Sequence, residues 1–128
     1  MAVEPRTTRQ KEAIRAAFVE ADRPLSPEEV CALAVKSVKG LSIATVYRNI
    51  GQLVKEEWLE SVDLPGENRR YEVAGKGHHH HFQCTSCNKV FELSGCGVTI
   101  RHKLPRGFTM SGHEFTMYGS CSQCSARK

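Results

Sequence analysis

The feature that most constrains how this chain of 128 residues can fold is a pair of Cys-x-x-Cys motifs. Cys84 and Cys87 form the first motif, and Cys121 and Cys124 form the second. Together they supply four thiolates, which is the ligand set of a tetrahedral structural zinc ion. A thiol–disulfide enzyme is the rival interpretation, but neither motif lies in the βαβ context typical of thioredoxin-like enzymes. We therefore predict a structural Zn²⁺ that closes a small domain and contributes directly to its folding free energy.

The chain before the first motif has the pattern of three helices. Thr8 is a candidate cap for the first helix, whose apolar residues recur at helical spacing as far as Ala21. Residues 26–29, Ser-Pro-Glu-Glu, combine a serine cap, a proline at the first helical position and a glutamate three residues after the cap. Ser42 is the candidate cap of a third helix that extends to about Glu57.

Two short strand-like runs follow these helices. Residues 59–64 and 69–74 flank a Pro-Gly-Glu-Asn turn at 65–68. Three helices and a hairpin are the pattern of a winged helix-turn-helix, a fold that binds DNA. We therefore predict a winged-helix DNA-binding domain over residues 1–74 and a hinge at the Gly-Lys-Gly of 75–77.

The remaining residues, 78–128, are predicted to form a small second domain with strands and a short helix. The strand-like runs are 81–84, 89–93, 108–110 and 114–119, and the helix is expected around 97–104. The whole chain is therefore predicted to be of the α+β class, with a winged helix followed by a small α/β domain held by a Cys₄ zinc site.

The net charge and the hydropathy of the chain limit the kinds of partner and the compartment that we expect for it. The formal net charge of +4 is mildly basic and is compatible with a nucleic-acid partner. No apolar run approaches the ~20 residues of a membrane span, and the first residues lack the apolar core of a signal peptide. We expect a cytoplasmic protein without a membrane partner. In that reducing compartment, paired cysteines more often hold a metal than form a disulfide.

Four consecutive histidines, His78 to His81, lie immediately before the first cysteine motif. Side chains alternate between the faces of an extended strand, so His79 and His81 would point one way and His78 and His80 the other. One short strand can therefore serve two metal sites. The alternative is a solvated surface strand whose histidines bind nothing.

Each of these two sites needs ligands from elsewhere in the chain. Glu72 and Glu92 are the candidates for the site of His79 and His81, and His113 is the candidate for the other site. Nitrogen and oxygen donors of this kind suit Fe²⁺, Mn²⁺, Zn²⁺, Co²⁺ or Ni²⁺, and the donor type alone does not select among these ions.

Four motifs occur in an order that is specific to one protein family. They are Thr-Arg-Gln-Lys at 8–11, Thr-Val-Tyr-Arg at 45–48, HHHHFQCTSC at 78–87 and Tyr-Gly-Ser-Cys at 118–121. In these motifs, and over nearly its whole length, the chain resembles the ferric uptake regulator (Fur) superfamily of bacterial metal-responsive repressors. The resemblance implies a homodimer, and allows pairs of dimers, that binds double-stranded DNA at an A·T-rich pseudo-palindromic operator when metal is loaded. It also implies that residues 78–128 form the dimerisation domain.

The resemblance also assigns metal ligands, residue by residue. The structural zinc site falls on Cys84, Cys87, Cys121 and Cys124. The regulatory site near the hinge falls on Glu72, His79, His81 and Glu92. An additional site in the dimerisation domain falls on His78, His80 and His113. The implied cofactors are a structural Zn²⁺ and a second, regulatory divalent metal: Fe²⁺, Zn²⁺ or Mn²⁺.

The chain departs from the family pattern at two ligand positions. Pro24 occupies a place where the regulatory site often has a histidine, and Thr99 lies where the additional site usually has a glutamate. Cys96 and His102 are close enough in sequence to complete a ligand set. The identity of the sensed metal therefore does not carry over from the family.

The third helix carries the expected DNA contacts at its outward N-terminal end. Tyr47 and Arg48 are expected near base edges or phosphate, because arginine can read guanine bidentately and tyrosine can contact a thymine methyl group. Ser42 and Thr45 are expected to contact the DNA backbone and so to position the protein on the duplex. Arg6 is expected to reach a phosphate or a narrow A·T minor groove.

These features predict a transcriptional repressor that controls metal homeostasis, of the iron, zinc or manganese uptake type, and not an enzyme. One alternative is a constitutive DNA-binding protein with structural zinc only. A second is a peroxide-responsive member of the family, although such members favour aspartate where this chain has Glu72 and Glu92. A metal-dependent hydrolase would need an open metal position and a substrate cleft, for which the sequence offers no pattern.

Overall fold

The computed structural model describes residues 5–64, 69–95 and 104–126. The chain divides into two compact units, Met1–Gly75 and Lys76–Lys128. The turn predicted at 65–68, most of the helix predicted at 97–104, and the residues Cys96, Thr99 and His102 lie outside the described residues. Among the described residues, no helix has both the length and the apolar character needed to span a membrane.

The first unit is a winged helix, as predicted. Its elements are α1 (Arg6–Ala21), α2 (Pro27–Ala34), α3 (Ile43–Lys55), β1 (Leu59–Val62) and β2 (Arg70–Val73). The two strands pair antiparallel, with Leu59 opposite Val73. The α+β class predicted from the sequence is confirmed.

The start of α1 differs from the prediction, because Thr8 is not its cap. The helix begins at Arg6 after Pro5, and no side chain caps it. The Pro5 carbonyl accepts hydrogen bonds from the backbone N–H groups of Thr8 and Arg9, at 3.0 and 3.1 Å. Thr8 therefore lies inside the first turn, where the backbone already supplies the acceptor that a cap would provide.

The predicted start of α2 is confirmed in full. Ser26 Oγ accepts from the Glu29 backbone N–H at 3.2 Å, and Glu29 Oε1 accepts from the Ser26 N–H at 3.0 Å. The same carboxylate accepts from Arg70 Nη1 at 2.7 Å and lies 3.0 Å from Arg23 Nη2. Glu29 thus caps α2 and fixes strand β2 against the start of that helix.

The third helix packs its inner face on the core of the first unit. Ser42 caps it as predicted, accepting from the Thr45 N–H at 3.2 Å. The helix ends at Lys55 rather than near Glu57, whose φ of 62° lies outside the helical region. The buried core of this unit comprises Ile14, Ala17, Phe18, Leu25, Val30, Ala34, Leu41, Val46, Ile50, Leu53 and Leu59.

The second unit contains a small sheet with strand order β4-β3-β5 in its described part. The strands are β3 (His79–Cys84), β4 (Val90–Ser94) and β5 (Thr116–Gly119). β3 pairs antiparallel with β4 and parallel with β5. A short helix, α4 (Ser122–Ser125), follows β5 and was not predicted.

The strand predicted at 108–110 is wrong. The Phe108 N–H donates to the Pro105 carbonyl at 3.1 Å, which closes a turn through Gly107. The side chains of Phe108 and Met110 are exposed, and no described strand pairs with this segment. Alternating apolar residues alone do not make a strand where the backbone has no partner.

Replacing Glu29 with alanine is expected to destabilise the first unit by about 2–3 kcal/mol. The substitution removes both the capping contact of α2 and the 2.7 Å ion pair with the nearly buried guanidinium of Arg70. Urea unfolding followed by the fluorescence of Trp58, the single tryptophan, reports on this unit. Glu12→Ala, which removes an exposed glutamate of α1, is the control and should leave the midpoint unchanged. Equal midpoints for both variants would refute the anchoring role of Glu29.

Candidate metal centres and nucleic-acid interface

The four cysteines of the two motifs meet at one point of the second unit. Cys84 ends β3, Cys87 lies in the turn that follows, and Cys121 and Cys124 lie at the start and within α4. Their sulfur atoms are all within 4.8 Å of one another, and Cys87 Sγ is 3.8 Å from Cys121 Sγ. Four sulfurs at ~2.3 Å from a central zinc would lie about 3.8 Å apart at the corners of a tetrahedron. The donor set therefore fits a structural zinc ion.

The backbone around the cysteine cluster is arranged to stabilise thiolate charge. Cys84 Sγ accepts from the backbone N–H groups of Cys87 and Cys121, at 3.4 and 3.3 Å. These hydrogen bonds lower the pKa of Cys84 to about 6. The pKa of Cys124 is raised to about 12, chiefly by its hydrogen bond to Cys121 and then by that to Cys84. Four crowded thiols cannot all ionise without a cation between them, and a zinc ion supplies that charge.

The three histidines assigned to the additional site also come together within the second unit. The ligand nitrogens of His78, His80 and His113 lie within 4.8 Å of one another, and His78 Nε2 is 3.3 Å from His113 Nε2. Two nitrogens bound to one tetrahedral zinc at 2.0–2.1 Å would be separated by about 3.3 Å. The His80 ring is buried and stacks on Phe115 with 3.8 Å between ring centroids. Burial lowers the pKa of His80, which favours the neutral form that a metal requires.

His79 and His81 lie side by side on β3, with ring centroids 4.9 Å apart. His79 Nδ1 is 2.8 Å from the Gly77 carbonyl oxygen, so the ring proton belongs on Nδ1 and the lone pair on Nε2. This is the way in which a backbone carbonyl orients a metal-binding histidine. Across the sheet, His81 is paired with Glu92 of β4.

Glu92 has a cationic partner that the sequence analysis did not identify. Its Oε2 atom is 3.0 Å from Lys76 Nζ, and its Oε1 atom is 3.9 Å from His79 Nδ1. Both members of the Lys76–Glu92 pair are largely shielded from solvent, with 19% and 16% of their side chains exposed. A single lysine between two glycines gives no pattern from which this contact can be predicted.

The remaining residue assigned to the regulatory site lies in the first unit. Glu72 is on β2, opposite Glu60 of β1, and its side chain is buried. Pro24, at the position where the family often has a histidine, is also buried and has no side-chain donor atom for a metal. The assignment of Glu72 to the regulatory metal site therefore stays a prediction.

The outer face of α3 presents the predicted DNA-contacting side chains, with one correction. Tyr47 is 51% exposed and Arg48 is exposed. Thr45 was expected to face outward, but it is buried. Its hydroxyl accepts from Ser42 Oγ at 3.0 Å and from Arg48 Nη2 at 3.1 Å. Because these contacts satisfy its polar atom, Thr45 can sit at the edge of the core and hold the Arg48 side chain in place.

Two contacts beside α3 were not predicted. The Tyr47 hydroxyl donates to Glu28 Oε1 at 3.1 Å, and this hydrogen bond raises the pKa of Tyr47. Arg6 lies in the first turn of α1, and its guanidinium lies close to Gly40, two residues before the Ser42 cap. Three of the predicted DNA-contacting side chains are thus exposed on the first unit: Arg6, Tyr47 and Arg48.

Substitution of Cys121 by serine is expected to remove the zinc ion and unfold the second unit, because three thiolates and a hydroxyl bind zinc far more weakly. Elemental analysis should give one chelation-resistant zinc per chain for the parent protein and none for this variant. Cys31→Ser, which changes a thiol in the first unit, is the matched control and should keep its zinc. Full zinc content in the Cys121→Ser protein would contradict the Cys₄ assignment.

The sequence is similar to those of one known protein family. The sequence model of the Ferric uptake regulator family matches residues 3–118. The ferric uptake regulation protein of Campylobacter jejuni is 29% identical over 127 residues, which is 94% of this chain and 80% of that protein.

The fold also occurs in solved structures of other proteins. The ferric uptake regulator of Helicobacter pylori, described as having three functional metal-binding sites, superposes with a TM-score of 0.62 at 26% identity, over 91% of this chain and 79% of that chain. A zinc-bound manganese uptake regulator superposes with a TM-score of 0.71 at 21% identity, over 94% and 91% of the two chains. The match of the family model over most of the sequence shows that the chain belongs to the ferric uptake regulator family.

Proposed function

We propose that this protein is a metal-responsive, DNA-binding transcriptional repressor that controls metal homeostasis. One observation carries the proposal: strand β3 offers histidine donors on both of its faces and ends at a cysteine cluster of zinc geometry. It begins shortly after the Gly75–Gly77 segment that follows the winged helix. A purely structural zinc protein would need the cysteines but not the histidines.

The Cys₄ site supplies folding free energy to the second unit, and the histidine sites supply the response. A bound structural zinc neutralises thiolates that would otherwise repel one another. A reducing cytoplasm, expected from the sequence, keeps these thiols from pairing as disulfides. The response requires an ion that binds reversibly, and the nitrogen and oxygen donors of β3, β4 and His113 suit Fe²⁺, Zn²⁺ or Mn²⁺.

Glu72 is the residue through which the regulatory metal acts on DNA binding. It belongs to the first unit, whereas His79, His81 and Glu92 belong to the second. A metal that takes ligands from both units restricts the angle between them. Gly75 and Gly77 have φ values of 84° and 69°, which glycine adopts without strain, so the segment between the ligands is a suitable hinge. Metal shifts the population only by its difference in affinity for the two arrangements.

The family is one of dimeric DNA-binding regulators, and a homodimer places two copies of α3 on one duplex. β5 forms one edge of the described sheet, and its residues Met117 and Tyr118 are exposed, as are Phe108 and Met110 nearby in sequence. An apolar sheet edge of this kind favours pairing with a second subunit. We infer that the dimer binds an A·T-rich pseudo-palindrome and that pairs of dimers form on longer sites.

Replacing Arg48 with alanine is expected to weaken specific DNA binding by ~1–3 kcal/mol and to relax the base preference at one position of each half-site. Binding is measured by fluorescence anisotropy on a duplex selected by the metal-loaded protein from a random-sequence pool. Arg106→Ala removes an exposed arginine of the second unit and controls for the loss of charge. An unchanged operator affinity for Arg48→Ala would exclude α3 as the reading helix.

Replacing Glu72 with alanine is expected to abolish the dependence of operator affinity on added Mn²⁺ while leaving the structural zinc and the circular dichroism spectrum unchanged. The matched control is Glu60→Ala, which removes the exposed carboxylate directly across the hairpin. If Glu72→Ala binds the operator only when metal is added, as the parent does, the metal does not act through this residue. If the parent itself ignores added metal, the protein is a constitutive DNA-binding protein with structural zinc only.

A further inference from the structure

We propose that Lys76 is a built-in competitor of the regulatory metal: its ammonium group occupies the carboxylate of Glu92 and thereby raises the metal concentration at which the site fills. This inference rests on the proposed function, since it concerns the same site. It adds a residue that sets the threshold of the response and that is not itself a ligand.

The first argument is the geometry of the Lys76–Glu92 pair. Lys76 Nζ is 3.0 Å from Glu92 Oε2, a charge-assisted hydrogen bond. Lysine side chains are usually exposed, but here only 19% of the side chain is accessible. A partly shielded ion pair is screened less by salt than a surface pair, so it competes measurably with another cation for the same carboxylate.

The second argument is the position of Glu92 relative to the histidines. Its Oε1 atom lies 3.9 Å from His79 Nδ1, the nitrogen whose proton points to the Gly77 carbonyl. The nitrogen that would bind metal is Nε2. With Lys76 on Oε2, Glu92 thus lies on the Nδ1 side of His79. The ammonium group has to leave before both carboxylate oxygens can bind a metal, and while it stays it reduces the negative charge that the carboxylate offers to the ion.

The third argument is electrostatic. A divalent cation that takes Glu92 as a ligand together with His79 and His81 would share that carboxylate with the ammonium group of Lys76, and like charges repel in a partly desolvated site. Competition for the carboxylate and repulsion of the ion act in the same direction, because both weaken metal binding. Lys76 is flanked by Gly75 and Gly77, both at positive φ, so the backbone beside it tolerates the rearrangement that releases it.

The test is a Co²⁺ titration of the zinc-loaded, full-length protein, followed by the visible d–d absorption of bound cobalt. His113→Ala is used as the background, so that the additional site does not contribute to the signal. In this background Lys76→Met, which keeps the length of the side chain but removes its charge, is expected to lower the Kd for Co²⁺ about five- to tenfold. Lys76→Arg, which keeps the charge, should stay close to the parent.

Two controls test whether Lys76 acts through the carboxylate of Glu92. Arg106→Met removes one positive charge from an exposed position of the same unit and should not change the Kd for Co²⁺. In a Glu92→Gln background, Lys76→Met should have much less effect, because the carboxylate for which the cations compete is gone.

An unchanged Kd in Lys76→Met would overturn the inference. A Kd that rises would also overturn it, because Lys76 would then orient Glu92 for the metal rather than compete with it. The proposed function fails differently: it is refuted if the His113→Ala protein binds no Co²⁺ beyond its structural zinc, or if the cobalt that it binds is retained after His79→Ala.

Discussion

The second unit depends on the attraction between four thiolates and one cation. Among the described residues of this unit, the fully buried hydrophobic side chains are those of Cys84 and Val90, and Cys84 is itself a sulfur donor. Three short strands with so small an apolar core cannot offset the conformational entropy lost on folding by hydrophobic burial alone. The zinc site therefore supplies stability that the described strands do not gain by burial, whereas the first unit has a core of its own built from three helices and a hairpin.

The same shortage of apolar surface explains why β3 can carry so many donors. A strand in an ordinary sheet reserves one face for the core, which leaves one face for function. Here both faces carry imidazoles: His79 and His81 on one, His80 on the other together with His78 and His113. The cysteine cluster at the carboxyl end of β3 fixes the strand, so the histidines along it are also held in place. The donors of the cysteine site and those of the proposed regulatory sites thus lie on one strand without competing for ligands.

The sequence predicted those features of the structure that depend only on residues close together in the chain. The capping box at Ser26 and the cap at Ser42 depend on neighbouring residues only, and both are present in the structure. The Cys-x-x-Cys spacing and the alternation along β3 are also local, and in the structure the four cysteines lie together and the β3 histidines lie on alternate faces. The assignment of individual regulatory ligands stays a prediction, because it concerns Glu72 of one unit and three residues of the other.

The incorrect predictions concern contacts, with the backbone or between side chains, that no simple spacing rule indicates. The α1 start was misplaced because the Pro5 carbonyl replaces the expected side-chain cap. Thr45 was expected at the surface, yet its bonds to Ser42 and Arg48 allow burial. The Lys76–Glu92 pair joins the start of β3 to β4, and no spacing rule indicates it.

The parallel pairing of β3 and β5 has a consequence for how this fold can vary between relatives. Parallel strands end at the same edge of a sheet, so the pairing of β3 with β5 brings Cys84 and Cys121 to one place. Cys87 and strand β4 lie between them in the chain and belong to the scaffold, but the segment from β4 to β5 holds none of the four cysteines of the zinc site. The length of that segment affects the zinc site chiefly through the entropy of closing a loop, and doubling the length of a flexible loop costs only about 0.6 kcal/mol. This segment is therefore expected to tolerate insertions and deletions with little change in zinc binding. It is the segment in which evolution can change an interface or add a ligand while the metal-bound scaffold stays fixed.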